Sequence, residues 1–307
     1  FRVSNLLTIS GTLTVPSSKY VSTAATGNLT INVGGELAGA GNFYRYLTDA
    51  SSHFTNSGTI SITTFYLSMT TGATTAPLTA TTYGGNLLIY QNGVAGTVTG
   101  IIGPVASTLS VAGSMYVPAS NGGVGYTAIA DNTVNNIPVT VASSFSVGYS
   151  AGNSYGQFKA GNATYDINGN VTIYASDASG ASTLDATGTS SWTIAGNWTN
   201  NDVFTAGTST IAFDGNSTAN QTITTNAQAF NNLTINNTQA TFDQAIISGA
   251  LDVNGTLTIT DGNLKLDTNN PTVNIAGNVS VGASGTWTKG TGAVTFDGIT
   301  AATYTDS

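Results

Sequence analysis

Short runs of alternating apolar and polar residues recur along the whole chain. Near its start Leu7, Ile9, Leu13 and Val15 share one parity, while Thr and Ser fill the other. Such alternation predicts strands that bury one face and expose the other. No segment has the periodicity of a helix, so the pattern predicts an all-β fold. Further runs of this kind occupy 29–33, 60–62, 171–173, 233–235, 257–259 and 273–275.

Gly-Asn dipeptides separate many of these predicted strands. Each one precedes an apolar residue that begins a new strand, so it occupies a corner. Gly and Asn accept a left-handed backbone, and we expect them to turn the chain sharply on that account. These corners are Gly27-Asn28, Gly85-Asn86, Gly169-Asn170, Gly196-Asn197, Gly262-Asn263 and Gly277-Asn278.

One long phrase occurs twice in the second half, at 194–215 and at 275–298. Both copies begin with Ile-Ala-Gly-Asn, at Ile194 and at Ile275, and both end with Phe-Asp-Gly, at Phe213 and at Phe296. The offset is too long for one structural repeat and suits a few of them. Because the phrase repeats a scaffold rather than a set of reactive side chains, it favours a structural role over catalysis.

Two architectures produce many short strands with such corners. The runs are short, the corners lack a regular hairpin length, and similar phrases recur at long range. These features favour a β-solenoid, like a parallel β-helix, with turns of roughly twenty residues. Tandem β-sandwich domains are the alternative. We expect an irregular all-β region over 1–160 and the repeat-containing solenoid over 161–307, with a boundary near Gly161.

The composition of the chain limits the classes of partner that it can bind. Charged residues make up 7% of the chain and hydrophobic residues 40%, so Thr, Ser, Asn and Gly must supply the polar surface. The net charge is −8 and the six Lys and Arg are scattered, which argues against nucleic acid. No apolar run approaches the roughly 18 residues of a spanning helix. The chain has no Cys, which excludes disulfides and thiolate metal sites. It has no start Met and no signal pattern, so we expect a mature form or a fragment.

The phrases of the second half also resemble a known group of proteins. Residues 190–216, SSWTIAGNWTNNDVFTAGTSTIAFDGN, and 229–239, AFNNLTINNTQ, resemble Ser/Thr/Gly/Asn-rich repeat proteins of prokaryotic cell surfaces. That group contains adhesins, autotransporter-like passengers, and filament or sheath subunits. The resemblance covers roughly 165–300 and implies β-solenoid repeats and an extracellular or cell-surface location. It transfers no catalytic residue.

Catalytic and metal chemistry has little support in the sequence. His53 is the single His and there is no Cys, so neither a Ser-His-Asp system nor the usual zinc shell is favoured. Asp166, Asp214, Asp252, Asp261 and Asp297 lie in corner phrases, where Asp accepts hydrogen bonds from nearby amides. Oxygen-rich corners would suit Ca²⁺ if two stacked in register. We expect no other cofactor and no enzyme activity.

Aromatic side chains are the better candidates for a contact surface. In 43–47, alternation places Tyr44 and Tyr46 on one side of a strand and Phe43, Arg45 and Leu47 on the other. The tyrosine pair could touch a glycan or another subunit. Trp192, Trp198 and Trp287 lie in or beside the repeated phrase, where core packing is the default interpretation.

Asn-x-Ser/Thr sequences are numerous, although this composition produces nearly as many by chance. They would carry glycans only in a host that glycosylates secreted proteins. The candidate asparagines are Asn28, Asn162, Asn170, Asn197, Asn216, Asn220, Asn232, Asn236, Asn254 and Asn278.

Together these patterns predict a structural subunit of an extracellular filament, sheath or surface layer. Strand-like sequence reaches both ends of the chain, and exposed strand edges invite pairing with another copy. Copies of the same chain are therefore the expected partner, joined head to tail. The alternative is a cell-surface adhesin or carbohydrate-binding stalk, with surface glycans as partners.

Overall fold

A computed structural model describes most of the 307-residue chain. In the described part the secondary structure is β-strand, and no helix occurs that could cross a membrane. The described residues are 1–24, 27–47, 54–69, 75–78, 82–91, 96–103, 108–117, 126–148, 155–176, 180–215, 218–299 and 301–306.

The strands follow one another with short connections. The first seventeen are β1 (Arg2–Val3), β2 (Leu6–Ile9), β3 (Thr12–Thr14), β4 (Tyr20–Thr23), β5 (Asn28–Ile31), β6 (Glu36–Leu47), β7 (Phe54–Asn56), β8 (Thr59–Met69), β9 (Thr75–Leu78), β10 (Thr82–Tyr83), β11 (Asn86–Gln91), β12 (Gly96–Ile102), β13 (Leu109–Val111), β14 (Met115–Val117), β15 (Tyr126–Asp131), β16 (Val139–Val141) and β17 (Phe145–Val147). The remaining strands are β18 (Tyr155–Lys159), β19 (Thr164–Ile167), β20 (Val171–Ile173), β21 (Thr183–Asp185), β22 (Ser191–Ile194), β23 (Trp198–Asn200), β24 (Val203–Thr205), β25 (Thr210–Phe213), β26 (Gln221–Thr224), β27 (Asn232–Asn236), β28 (Gln244–Ser248), β29 (Leu251–Val253), β30 (Leu257–Lys265), β31 (Val273–Ile275), β32 (Val279–Thr288), β33 (Val294–Phe296) and β34 (Tyr304–Asp306).

These strands form a β-solenoid of about 11 turns, as the sequence predicted. Every described strand pair is parallel, which excludes the alternative of tandem antiparallel sandwiches for the described residues. Antiparallel sandwiches would instead pair strands that follow each other in sequence. Here β13 pairs with β16 and β16 with β19, so each strand meets its equivalent one turn later.

Three ladders wrap around the core, and we call them faces A, B and C. Long strands continue from face A into face B, so these two faces share one 22-stranded sheet. Face A contains β3, β10, β13, β16, β19, β22, β25, β27, β34 and the first parts of β6, β8, β30 and β32. Face B contains β1, β4, β11, β14, β17, β20, β23, β26, β28 and the second parts of those four long strands. Face C contains β2–β5–β7, then β9–β12–β15–β18–β21–β24, then β29–β31–β33.

Alternation along each strand directs apolar side chains into a continuous core, as predicted. On face A the register stacks Tyr165 on Trp192 and Trp192 on Ile211, and all three side chains are buried. The Trp192 ring lies 4.0 Å from the Tyr165 ring, with the planes 15° apart. Trp198 is also buried, and Trp287 packs against the core from a half-buried position. The core interpretation of these tryptophans is confirmed for Trp192 and Trp198.

The ladders continue across the predicted boundary near Gly161. Val139 pairs with Tyr165 on face A, Phe145 with Val171 on face B, and β18 with β21 on face C. Residues on both sides of position 161 therefore contribute to the same three faces. The division into an irregular region over 1–160 and a repeat-containing region over 161–307 stays a prediction.

The repeated phrase occupies different faces in its two copies. Ile194 lies on β22 of face A, whereas Ile275 lies on β31 of face C. Phe213 and Phe296, which close the two copies, differ in the same way. The offset is therefore a few turns, as predicted, but not a whole number of them. The repeated unit is a corner with its flanking strands, and this unit can occur on different faces of the solenoid.

The Gly-Asn corners work by close approach, and the predicted left-handed backbone is wrong for most of them. Of the six predicted corner glycines, Gly262 has a positive φ, 81°. At Gly169 a Cβ atom would instead lie 2.6 Å from the carbonyl oxygen of Ser143, one turn away. A Cβ at Gly196 would overlap the backbone of Gly169 in the same manner. Glycine is needed because adjacent turns touch there through their backbones.

The variant Gly196→Ala tests this steric requirement. The added methyl group has to displace backbone atoms, so we expect a loss of roughly 1–3 kcal/mol in the free energy of unfolding. Gly11→Ala is the matched control, because nothing lies within 4 Å of a Cβ at Gly11. Denaturant midpoints of the two variants and the parent chain give the measurement. Equal midpoints for both variants would show that the corner tolerates a side chain.

Candidate functional site

Five tyrosines form a continuous group on the outer side of face B, and we call them the tyrosine cluster. Tyr44 stacks on Tyr66 of the next turn, with ring centroids 4.2 Å apart and planes 11° apart. Tyr20 and Tyr90 meet this pair edge-on, at 5.7 Å from Tyr44 and 5.8 Å from Tyr66. Tyr46 lies beside Tyr44 on the same strand, at 6.2 Å. The predicted pair Tyr44 and Tyr46 is thus part of a larger surface.

The cluster is partly shielded from water. Tyr20 is 58% exposed, and Tyr44, Tyr46, Tyr66 and Tyr90 are half-buried. Burial, together with the neighbouring hydroxyl of Tyr66, raises the pKa of Tyr44 to about 12. The Tyr44 phenol is therefore protonated at neutral pH. Because the rings of Tyr44 and Tyr66 cover each other's faces, ring edges and hydroxyls form much of the surface offered to a partner.

The opposite side of the same strand is buried, as alternation predicted. Phe43 and Arg45 have no exposed surface and Leu47 is 1% exposed. The Arg45 guanidinium donates from Nη1 to the Thr23 hydroxyl at 3.0 Å and to the Tyr46 carbonyl at 2.9 Å. Burial lowers the pKa of Arg45 to about 10, so the side chain stays charged at neutral pH. These bonds hold the strand that carries Tyr44 and Tyr46.

Many predicted glycan acceptors connect adjacent turns through their side chains. Asn170 Oδ1 accepts a hydrogen bond from the backbone N–H of Asn197 at 2.8 Å. Asn197 Oδ1 accepts in turn from the N–H of Thr222, also at 2.8 Å. The same contact is made by Asn162 to Thr189, Asn220 to Gln244, Asn232 to Thr256 and Asn278 to Thr303. Six of the predicted acceptors thus have a structural role at corners.

These asparagines differ in exposure. Asn162, Asn170, Asn197, Asn254 and Asn278 are exposed, whereas Asn28, Asn220, Asn232 and Asn236 are half-buried. Asn216 lies outside the described residues. Glycosylation at the exposed positions stays a prediction, and an attached glycan at Asn170 or Asn197 would sit on a side chain that already holds two turns together.

The predicted role of Asp in turns is confirmed at Asp261, whose Oδ1 accepts from the N–H of Gly262 at 2.8 Å. Asp131 and Asp185, which sequence reasoning missed, accept in the same way from Thr133 and Thr187. Asp202 Oδ2 accepts from the N–H groups of Ser176 and Ser182, at 3.1 and 2.7 Å. These carboxylates order loops of the solenoid.

Asp214 and Asp252 each lie close enough to another carboxylate for electrostatic repulsion between them. Burial raises the pKa of Asp214, and Asp166 adds to the rise. Burial also raises the pKa of Asp252, next to Asp297. Within the described ranges, no three His or carboxylate side chains come together as metal ligands. A calcium corner stays a prediction, and His53 lies outside the described residues.

The first and last turns have strand edges, which we call the first-turn edge and the last-turn edge. The first-turn edge consists of β1, β2 and β3, which pair with β4, β5 and β6. The last-turn edge consists of residues 286–288 of β32, with β33 and β34, which pair with β30, β31 and β32. Among the described strands, none pairs with the outer side of either edge. Each edge has one strand on every face.

The two edges differ in charge and shape. Arg2 is exposed on the first-turn edge and Lys19 is exposed in the connection between β3 and β4, and the first acidic residue of the chain is Glu36. Beside it lies a groove of about 490 Å³, lined in part by Pro16, Lys19 and Tyr20. The last-turn edge has exposed Asp297 and Asp306. Lys289 is near that edge, with its ammonium group 3.4 and 3.3 Å from the carbonyls of Gly290 and Gly292.

Large apolar side chains project from the last-turn edge. Phe296 is 54% exposed, Tyr304 is 57% exposed and Ile299 is fully exposed. Phe296 and Tyr304 border a shallow groove of about 250 Å³. On the first-turn edge Leu6 is 58% exposed. Apolar side chains on an open edge favour contact with another surface.

Comparisons of this chain with models of known protein families, with curated proteins and with solved structures gave no match. The candidate sites therefore rest on the geometry described above.

The variant Asn170→Ala tests the structural role of the corner asparagines. It removes the acceptor for the Asn197 N–H, so we expect a loss of roughly 0.5–1.5 kcal/mol in the free energy of unfolding. Asn170→Asp keeps an acceptor oxygen and should recover most of that loss. Asn254→Ala is the control, because Asn254 is exposed and its side chain makes no described hydrogen bond. Denaturant unfolding of protein made without N-glycosylation compares them, and an equal loss for both alanine variants would contradict the role.

Proposed function

We propose that this protein is a non-catalytic structural subunit of an extracellular filament, sheath or surface layer. In this assembly the last-turn edge of one copy stacks on the first-turn edge of the next. The observation that carries the proposal is that the first and last described turns each have one strand on every face, with no described strand on its outer side. Open edges form backbone hydrogen bonds with an added strand, which is the mode of β-augmentation.

Geometry supports this contact because the two edges match face by face. On face A, β34 of one copy would lie beside β3 of the next. On face C, β33 would lie beside β2, and on face B, β1 would lie at the C-terminal end of β32. All three pairs would be parallel, like the pairs inside the chain. Because the two edges lie at opposite ends of the solenoid axis, this head-to-tail contact builds an open fibre rather than a closed ring.

Charge and apolar surface support the same contact. Stacking would bring the end of the solenoid that carries Arg2 and Lys19 onto the end that carries Asp297 and Asp306, so two surfaces of opposite charge would meet. Opposite charges of this kind steer association and select the partner edge, although each exposed pair contributes only about 0–1 kcal/mol. The exposed side chains of Phe296, Ile299 and Tyr304 would lose contact with water on stacking.

Charge reversal at the two edges tests the proposal. One variant combines Arg2→Glu with Lys19→Glu, and the other combines Asp297→Lys with Asp306→Lys. Each variant alone places like charges at the contact, so we expect fewer and shorter fibres at low salt than the parent chain forms. An equal mixture restores opposite charges at every contact and should polymerise again. Sedimentation and electron microscopy across protein concentrations give the measurement.

Asp166→Lys reverses a charge on a middle turn, where its strand partners Thr140 and Thr193 are neutral, and serves as the control that should polymerise like the parent. High salt should reduce the differences between variants, because it screens exposed charges. Parent protein that stays monomeric at every concentration and salt would overturn the filament proposal. Variants that each polymerise like the parent would overturn the assigned edge contact.

The tyrosine cluster favours a second candidate function, a cell-surface adhesin or carbohydrate-binding stalk. It is a patch of aromatic rings and hydroxyls on a flat sheet, and the five rings lie on neighbouring strands. Tyr46 has one ring neighbour in the cluster, which leaves more of its ring face for a sugar.

Binding of neutral polysaccharides to immobilised protein tests this second function. Tyr46→Ala removes one ring of the cluster, and an aromatic contact is worth about 0.5–1.5 kcal/mol, so we expect binding to weaken by roughly threefold to tenfold. Tyr174→Ala is the control, since that tyrosine lies outside the cluster. Equal binding by both variants would exclude the cluster as the glycan site.

A further inference from the structure

The stacked pair Tyr44 and Tyr66 has a geometry suited to covalent coupling. The two residues are direct partners in the parallel register of β6 and β8. Their ring centroids are 4.2 Å apart and their planes are within 11° of parallel, so carbon atoms of the two rings are in van der Waals contact. Both side chains are half-buried on the outer side of face B, where a dissolved oxidant can reach them.

The other three rings of the cluster lie close enough to exchange electrons with the stacked pair. Tyr20 and Tyr46 lie 5.7 and 6.2 Å from Tyr44, and Tyr90 lies 5.8 Å from Tyr66. Electrons pass readily between aromatic rings at such distances. A phenoxyl radical formed on any of the five rings is therefore one ring contact away from Tyr44 or Tyr66, and the stacked pair is where two radicals can meet.

We propose that Tyr44 and Tyr66 are a site of oxidative cross-linking, at which a peroxidase and hydrogen peroxide join the two rings into dityrosine. Each phenol loses one electron and its hydroxyl proton to give a phenoxyl radical. The radicals couple through one carbon ortho to each oxygen, and both rings regain aromaticity when the two ortho hydrogens leave as protons and the oxygens are protonated again. Overall, two aromatic C–H bonds and the peroxide O–O bond break, one C–C bond forms, and two molecules of water are released.

Such a bond would provide a covalent cross-link between turns of the chain. The sequence contains no Cys, so disulfides cannot join its turns. A Tyr44–Tyr66 bond links two adjacent turns across a short loop of chain, which restricts the unfolded state as a disulfide does. Both rings belong to one chain, so this inference does not depend on the filament proposal.

Tryptic peptides can identify the bond, because Arg45 separates the two tyrosines. The folded chain is treated with peroxidase and hydrogen peroxide, then denatured and digested. Cleavage after Lys19, Arg45 and Lys159 gives peptides 20–45 and 46–159. A Tyr44–Tyr66 bond joins these two peptides with the loss of two hydrogen masses and gives dityrosine fluorescence. The undigested product should keep the mass of a single chain.

The variants Tyr44→Phe and Tyr66→Phe keep a ring in the stack but lack the phenol, so each should abolish the joined peptide. Tyr116→Phe and Tyr20→Phe should leave it. Tyr116 is half-buried on the same face without a described ring partner, and Tyr20 controls for a link from the other tyrosine of peptide 20–45. Circular dichroism confirms that each variant is folded, and coupling of the parent in denaturant should lose its selectivity for this pair.

Three results would overturn the proposal. The first is a joined peptide that persists in Tyr44→Phe or Tyr66→Phe. The second is its absence from the folded parent under conditions that couple free tyrosine in the same reaction. The third is a joined peptide found only in products with the mass of two or more chains, because the stacked pair would then not be the reacting pair.

Discussion

Parallel stacking of successive turns is the constraint from which the other features follow. Adjacent parallel strands lie about 4.8 Å apart, so each side chain has a neighbour above and below it. Inside, the constraint stacks Phe43 on Phe65 with ring centroids 5.4 Å apart. At the corners it brings backbones so close that Gly196 has no room for a Cβ atom. Which residue fits at a position therefore depends mainly on the side chain or backbone that lies beside it in the next turn.

The same constraint accounts for the low charge of the chain. Like charges on neighbouring strands repel each other, so rows of Lys or Asp along a face would destabilise the stack. An Asn side chain avoids this problem, because its oxygen accepts a backbone N–H from the next turn without any net charge, as Asn170 does from Asn197. Burial raises the pKa of Asp252, and the charge of Asp297, which approaches it across turns, adds to the rise. Neutral polar residues are thus the ones that a parallel stack can repeat.

Local alternation in the sequence predicted which side of a strand is buried, but not which face the strand joins. The inward positions of Phe43, Arg45 and Leu47 follow from period two alone. Face assignment depends on turn length, which varies: the partners Trp192 and Ile211 are one short turn apart, and Leu109 and Val139 are one long turn apart. A single sequence does not give the distances between turns. The corner glycines were therefore attributed to a left-handed backbone, whereas close contact between backbones is what requires most of them.

The neighbours of Tyr44 and Tyr46 were missed, although the sequence contained a signal for them. Tyr20, Tyr44, Tyr66 and Tyr90 recur at intervals of about one turn. Once a solenoid is assumed, such spacing predicts a row on one face. Only the register decides whether the rings meet directly, as Tyr44 and Tyr66 do, or diagonally, as Tyr20 and Tyr44 do. The row was therefore predictable, whereas its contacts needed the structure.

Hydrogen bonds, ring stacks and corner asparagines all act along one direction, the axis of the solenoid. A pull along that axis would load all the ladders of a turn at once. A covalent bond between Tyr44 and Tyr66 would lie along the same axis and reinforce the turns near the first-turn edge. That edge is where, in the proposed filament, one copy receives the next. The physics that specifies the fold would then also specify the direction in which the material resists force.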